Sequence, residues 1–539
     1  MRNKFTKVLG FFLILIAIIF QSGCKNKSQY QHIRFHISTE PLTLDPQVAN
    51  DFPSNVLTMN LFEGLVRIGV NNEIVSGVAE DWVSYNEDKT FIFHLRKDVK
   101  WSDDKTIVTA KDFFYGITRA INPNTVSKTA KSLYIIKNAR KINLNKTPMD
   151  ELGIFVVDDY TLKFDLEYSF KDFPRVCALP AAMPCSKDFF ESTAGQYGKD
   201  SKKLLTNGPF RISNSGWKRG SSINIVRNEN YVWKDDRVFT PMVTFFVKDD
   251  PKISEVDLFK NDEVDVCNLT KTEYSKIFEE NKNLNTVSFN DSYWGIIFNC
   301  SSDIFKNENM RRAFLSAIDR EYIISKLPKE NLPEFDSIIG DEMILGGKKY
   351  RDLVSNKVCF KPTTDARSIL TAALKELKIS KLSDVTLLCP NEEDTKSVAN
   401  NLLEVFNKNL GQHLNIKPMP RDDLNKEIVA GSFMIAFAPI SVKSDNPMGF
   451  LNSFRSDYPQ NPAKLNSAEY DKLMVNAENS SFKEMASSVF EAEKYISDRA
   501  VFYPICREDS YFITNKRIEN VIFYPYQVGV DFTFAKKRK

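Results

Sequence analysis

A chain of 539 residues with 42% apolar and 27% charged side chains is too apolar to be a disordered polypeptide and has no fibrous signature; it can bury several hydrophobic cores. Its formal charge of +3 is supplied by Arg2, Lys4 and Lys7 in an opening segment without acids, so the body is neutral. A neutral body exerts no long-range pull on nucleic acid or on an anionic membrane surface, and a nucleic-acid partner is excluded on that ground.

The opening cations precede Val8 to Phe20, an unbroken apolar run of 13 residues. A mature membrane-spanning helix needs roughly 20, so the run reads as a secretory signal. Gln21-Ser22-Gly23-Cys24 follows and resembles a lipobox, with Gln21 where that motif usually carries leucine. Cleavage before Cys24 and acylation of its thiol are expected, which makes 1–23 a lipoprotein signal peptide and 24–32 a tether to a membrane.

From Ile33 the chain alternates, with Ile33, Phe35 and Ile37 against Arg34, His36 and Ser38, which is strand periodicity. A second strand covers Thr90 to Arg96, with Phe91, Phe93 and Leu95 on one face. Thr109 and Asp112 form a capping box for a helix lined by Phe113, Ile117 and Ile121. Asn207-Gly208-Pro209-Phe210 is a turn, and alternating Ile223 and Ile225 lead to Tyr231 and Trp233. Met310, Phe314, Ala317 and Tyr322 predict one helix from Asn309 to Ile324. Val385 to Cys389 is a strand, and the helix after it carries Val398, Leu402, Val405 and Phe406 and stops at Gly411. Leu414 to Lys417 resumes a strand that ends before Pro418, so the unit is βαβ with parallel pairing. Met485, Val489, Ala492 and Ile496 mark a late helix, and strands at Val501 to Ile505 and Tyr511 to Thr514 follow.

Catalytic signatures are missing: there is no H-E-x-x-H, C-x-x-C or G-x-S-x-G, and Gly346-Gly347-Lys348-Lys349 lacks the upstream glycine and the hydroxyl of a phosphate loop. His32 and His36 lie about 13 Å apart along a strand, too far for one metal, while His94 sits in another strand and His413 after a helix end. No metal, no cofactor and no enzymatic activity are expected. Beyond Cys24 there are seven cysteines, an odd number, so at least one is free; Cys389 and Cys506 sit in apolar strand settings and read as core residues. The 41 phenylalanines fall mostly on core-like periodic positions, which favours core packing over an aromatic-lined pocket.

Several separated motifs in order resemble those of the extracytoplasmic solute-binding proteins, family 5, the oligopeptide- and dipeptide-binding components of ABC transporters. They are EPLTLDP at Glu40, NLFEGLV at Asn60, SGVAEDW at Ser76, TFIFHLRKDVKWSDDK at Thr90, TAKDFFYGITRAINP at Thr109, TNGPFRI at Thr206, RNENYVW at Arg227, MRRAFLSAIDREYII at Met310 and SAEYDKLM at Ser467. The resemblance implies an α/β, two-lobed periplasmic-binding-protein-like fold of the large class II type, with an extra subdomain on lobe one. Carried over by motif position, lobe one comprises 28–62, 187–288 and 491–539, the extra subdomain 63–186 and lobe two 289–490. The implied function is capture of oligopeptides outside the cytoplasmic membrane and delivery to an inner-membrane ABC permease, by a monomer held through a lipid anchor. Alternatives on the same fold are a cell-wall peptide, a nickel complex or haem as solute; from another class come an adhesin or a hydrolase.

Family binders hold an extended peptide as an added strand. The resemblance places one contacting segment at Asn50, Asp51 and Phe52, and the other in the stretch from Phe437 to Pro447, with Phe437, Pro439, Ile440, Ser441, Lys443 and Asp445, and adds Trp294. The chain departs from the family here. Phe437, Ile440 and Lys443 stand where peptide binders usually offer an arginine, a tryptophan and the aspartate that pairs with the ligand's ammonium, and Pro439 removes an N–H. Phe437 and Ile440 are expected to make this surface apolar. Either Lys443 shifts preference toward an acidic or N-blocked ligand, or Asp445 takes over the lost carboxylate's role.

Overall fold

The computed structural model describes residues 31–231, 238–247, 254–280, 283–329, 332–345, 348–361, 365–382, 385–411, 414–442, 446–480, 482–524 and 529–538. A ten-stranded mixed sheet runs through the molecule in the order Asn415–Met419, Thr386–Pro390, Ile435–Ser441, Leu284–Phe298, Phe502–Asn515, Val266–Leu269, Ile33–Ile37, Met242–Val247, Ser222–Arg227 and Phe210–Lys218. At one end Thr386–Pro390 pairs in parallel with both Asn415–Met419 and Ile435–Ser441, and at the other Ile33–Ile37 pairs in parallel with Met242–Val247 and Val266–Leu269. Parallel pairs need crossover connections, and the helix Glu393–Leu410 supplies the one predicted between its two strands.

The middle of the sheet consists of two long antiparallel strands, Leu284–Phe298 and Phe502–Asn515, paired along most of their length. Each passes from one core to another. Phe512 is buried with Ile33, Phe35, Ile223 and Val243, and Phe289 packs on the same core. Further along the same strands, Trp294, Ile296, Tyr503 and Cys506 enter a core with Val398, Leu402 and Phe437. Tyr293, Ile297 and Phe502 enter a third core, on the opposite face, with Ile440, Val489, Ala492 and Ile496. Two apolar bodies joined by two strands make the two-lobed fold that the motifs imply. A separate four-stranded antiparallel sheet orders Ala79–Tyr85, Thr90–Leu95, Thr161–Asp165 and Ile154–Asp158. Phe91, Phe93 and Leu95 point into the first core, joined there by Phe164 and Phe173. Beside it the helix Ala110–Ile121 buries Phe113, Ile117 and Ile121, and its capping box is formed: Thr109 donates to the Asp112 carboxylate through its backbone N–H (2.8 Å) and its hydroxyl (3.1 Å).

Three predicted elements are corrected. The helix expected over Asn309 to Ile324 is two, Glu308–Ala317 and Arg320–Ser325. Ile318 turns extended and Asp319 caps the second helix by accepting from the Tyr322 N–H at 3.0 Å, an N-cap signal that the apolar spacing conceals. The strands expected at Val501 to Ile505 and Tyr511 to Thr514 are one, Phe502–Asn515. Its polar centre, Arg507 to Ser510, resembles a loop in sequence but stays paired with Tyr293, Ser292, Asn290 and Phe289, across one register shift, where the strand passes between the cores. Pro418 does not end its strand, which continues to Met419; this strand lies at the sheet edge, where a missing N–H breaks no ladder bond. His36 lies in the first strand against Glu255, and His94 meets Asp81 at 2.5 Å. All seven cysteines after Cys24 are free, with Cys177, Cys185, Cys267, Cys389 and Cys506 buried.

Candidate ligand-binding site

Where the two crossing strands leave one body for the other, their register shifts between Asn290 and Ser292 and again between Trp294 and Gly295. The bulges let the strands turn and aim polar side chains out of the cores. Gly295 is required at the second shift, because a Cβ there would sit 2.0 Å from the Tyr503 carbonyl oxygen.

A charged group collects around this crossing. Glu508 accepts from the Trp294 indole N–H at 3.2 Å, from the Ser292 hydroxyl at 3.4 Å and from Arg421 Nη1 at 3.0 Å. Arg421 Nε reaches Glu392 at 3.3 Å, and the guanidinium lies 5.0 Å from the centre of the Trp294 ring. Burial alone would pull Arg421 down, but Glu508 and Glu392 outweigh it and hold the cation above its ordinary range. Arg421 and Glu392 stand just beyond the carboxyl ends of the parallel strands Asn415–Met419 and Thr386–Pro390, where open α/β sheets bind ligands. On the other face of the crossing, Glu342 accepts from the Tyr293 hydroxyl at 2.5 Å and from Asn290 at 3.1 Å. Asp509 is pushed up by burial, opposed by Arg507 at 3.4 Å.

The strand Ile435–Ser441 offers a backbone edge. Ile435 and Ala436 pair with Leu387 and Leu388, whereas 437–441 pair only on the other side, with Ser292 to Ile296. Trp294 stands in register opposite Pro439, and Ser441 opposite Ser292. Pro439 is partly exposed and Ser441 exposed. The apolar surface expected from Phe437 and Ile440 is absent: Phe437 is fully buried, with its ring 5.4 Å from that of Trp294 (also fully buried), and Ile440 is buried in the core on the opposite face. Strand alternation sends these side chains into cores on the two faces, which leaves the backbone and Ser441 for any contact. Lys443 and Asp445, like Cys24, lie outside the described residues.

The other expected segment is held from below. Asp45 and Gln47 are buried; Arg119 donates to Asp45 at 2.6 Å and to Gln47 at 2.8 Å, and the Ser127 hydroxyl donates to the Gln47 carbonyl at 2.6 Å. Asn50 is exposed. Asp51 caps the helix Phe52–Leu61, accepting from the Ser54 N–H at 3.0 Å and hydroxyl at 2.6 Å. Phe52 packs between Phe35 and Phe512, each at 6.3 Å. The carboxylate of Asp51 is thus engaged in the fold, and Asn50 is the member of the trio with a free face. Sequence reasoning missed Arg421, Glu392, Ser292 and Glu508, which come from four distant stretches and share no spacing. Among the described residues no group of His, Cys, Asp and Glu gathers to hold a metal ion, and no helix is long and apolar enough to cross a membrane.

Two α/β bodies joined by two strands, with a polar crossing and a half-open strand edge between them, define a two-lobed solute-binding protein. The chain belongs to the bacterial extracellular solute-binding proteins, family 5 (middle), whose profile matches residues 73–462. It is 26% identical over 502 residues to the dipeptide-binding protein DppE of Bacillus subtilis, covering 92% of this chain and 90% of that one. It is also 26% identical over 506 residues to the periplasmic murein peptide-binding protein MppA of Escherichia coli, with 91% and 89% covered. The peptide-bound structure of Listeria monocytogenes OppA superposes with a TM-score of 0.75 at 24% identity, covering 95% of this chain and 99% of that one.

Proposed function

We propose that this protein is the substrate-binding component of an ABC importer that captures oligopeptides outside the cytoplasmic membrane and passes them unchanged to an inner-membrane permease. The observation that supports this reading best is the strand Ile435–Ser441, whose last five residues ladder on one side alone, beside the crossing strands, and reach the surface at Pro439 and Ser441. An extended peptide can add there as a strand, bonded through main-chain groups of 439–441 and meeting Asn50 across the cleft. Asn50 and Ser441 contribute side chains, Asp51 and Phe52 set the position of Asn50, and Trp294, Phe437, Pro439 and Ile440 shape the strand from behind. Lys443 and Asp445 follow that strand in sequence and decide between a free and a blocked or acidic amino terminus. A cell-wall peptide is the second reading, favoured by the likeness to the murein peptide-binding protein.

The lobe division follows the cores. Val489, Ala492, Ile496 and Phe502 share the core of Ile440, which supports moving the last lobe boundary from 491 to Glu508. The protein works as a monomer anchored through acylated Cys24, and chemistry other than binding and release is not required of it. Calorimetry with matched peptides, free and N-acetylated, tests the reading: binding accompanied by a smaller radius of gyration supports it, and stabilisation by peptide without compaction counts against a hinged trap. A ligand at 100 times its dissociation constant stabilises the native state by about 2.7 kcal/mol. Detergent partitioning of Cys24→Ser tests the anchor.

A further inference from the structure

We propose that Arg140, on the extra subdomain, and Asp457, on the second lobe, form a latch that holds the lobes closed. The inference concerns closure alone and does not need the identity of the ligand. Among the described residues the chain passes between the lobes at Asn290 to Ser292 and at Glu508 to Asp509, and the other contacts between them are non-covalent and part when the cleft opens.

The contact is built between two pre-formed surfaces. Arg140 sits on the short helix Ala139–Asn143, whose last residue is fixed at both ends of its side chain: Asn143 accepts from the Tyr134 hydroxyl at 2.7 Å and donates to the Ile121 carbonyl at 2.7 Å. Asp457 follows the short helical turn Asn452–Phe454, and its own lobe places Arg455 Nε at 3.6 Å from it, with Arg455 Nη1 bound to Glu478 at 2.8 Å. Arg140 pairs with Asp457, and Lys146 stands 3.7 Å from the same carboxylate. Lys131 donates to the Gln460 side chain at 2.9 Å and lies 5.4 Å from the Tyr458 ring centre. Tyr168 of the subdomain packs on both the first-lobe core and the second-lobe core. Across this seam the subdomain supplies cations and the second lobe supplies the acceptors.

The chemistry suits a contact that must release. Arg455 and Glu478 are partners within the second lobe and stay together on opening. Arg140 is half-buried and shares its carboxylate with Arg455, and desolvation with that neighbouring cation pulls it down to about 10, still ionised at neutral pH. It regains full hydration when the cleft opens, so the closed state is favoured without being locked. Arg455 stands beside the carboxylate from its own lobe and keeps a cation near it when the seam parts.

Hydrogen exchange on the full chain, without added peptide, tests the latch with Arg140→Ala and Asp457→Asn. Exchange is expected to rise severalfold at 131–146 and at 455–461 and also at 437–441, which lies in the cleft and touches neither residue; the amides of Thr90–Leu95 stay protected and report an intact subdomain. Faster exchange confined to the seam, with 437–441 as slow as in the wild type in both variants, overturns the proposal. Should Arg140→Ala lose protection in Thr90–Leu95, Arg140→Lys, which keeps the charge and loses the fork, is read in its place. With that control, raised exchange at 437–441 supports the latch and unchanged exchange refutes it.

Discussion

Arg67 is a buried guanidinium and Arg140 a half-buried one, each beside carboxylates, and they do opposite work. Arg67 uses its whole fork: Nε and Nη2 donate to Glu63 at 2.9 and 2.6 Å, Nη1 to Asp531 at 2.5 Å, and the carbonyls of Met59 and Phe62 take the rest at 3.2 and 2.8 Å. Although burial opposes the charge, Asp531 and Glu63 hold Arg67 well above its ordinary range. Arg140 is pulled the other way, by burial first and then by Arg455. Arg67 joins segments that stay together, tying the end of the helix Phe52–Leu61 to the short strand Gly529–Asp531. Arg140 joins bodies that must separate. A complete set of partners makes a rivet, whereas a shared carboxylate makes a contact that can let go.

The largest test of this contrast is Arg67→Met. It leaves Glu63 and Asp531 buried without their cation, and chemical denaturation is expected to show a loss of about 3–5 kcal/mol. A loss below 1 kcal/mol would remove the distinction between rivet and latch. Asp265 is a second rivet, with no exposed side-chain surface, bound by Arg34 at 3.0 Å and by Lys537 at 2.9 Å. Burial alone would raise its pKa, but the hydrogen bonds from Arg34 and Lys537 win and lower it from its ordinary value of 3.8. A depressed carboxyl contributes stability above its unfolded value and loses it as pH falls through the folded one. Asp265→Asn should therefore cost about 1.5–3 kcal/mol at pH 7, the worth of hydrogen bonds to charged groups, and progressively less below about pH 4, where the unfolded chain's carboxyl takes up its proton before the folded one does. Equal losses at pH 7 and pH 3 would contradict the assignment.

Asp51→Ala removes an N-cap and should cost about 1 kcal/mol in thermal or chemical unfolding, with Asn50→Ala beside it leaving stability unchanged while weakening peptide binding. If both variants behave alike, the division between a supporting and a contacting residue fails. Arg140→Ala is expected to change global stability least, by less than about 1 kcal/mol, because each lobe keeps its own core and the partly wet pair contributes little to unfolding. A loss as large as that of Arg67→Met would make Arg140 another rivet.

The sequence by itself determined the local elements and the family. Alternation marked Ile33–Ile37 and Thr90–Leu95, the Thr109–Asp112 capping box and Gly411 marked helix ends, and the Val385 to Pro418 stretch declared its parallel unit, because these patterns depend on neighbours within a few residues. Tertiary structure decided the rest. The polar run Arg507 to Ser510 became the middle of a crossing strand because Leu284–Phe298 lay alongside to pair with it, and no local signal announces a partner more than two hundred residues away. Phe437 and Ile440 occupy positions matched to ligand contacts, yet the strand sends one into each of two opposite cores. The Trp294, Arg421, Glu392 and Glu508 group and the Arg140–Asp457 seam both bring together charges from distant stretches. Their proximity follows from how the lobes pack, which amino-acid spacing along the chain does not encode.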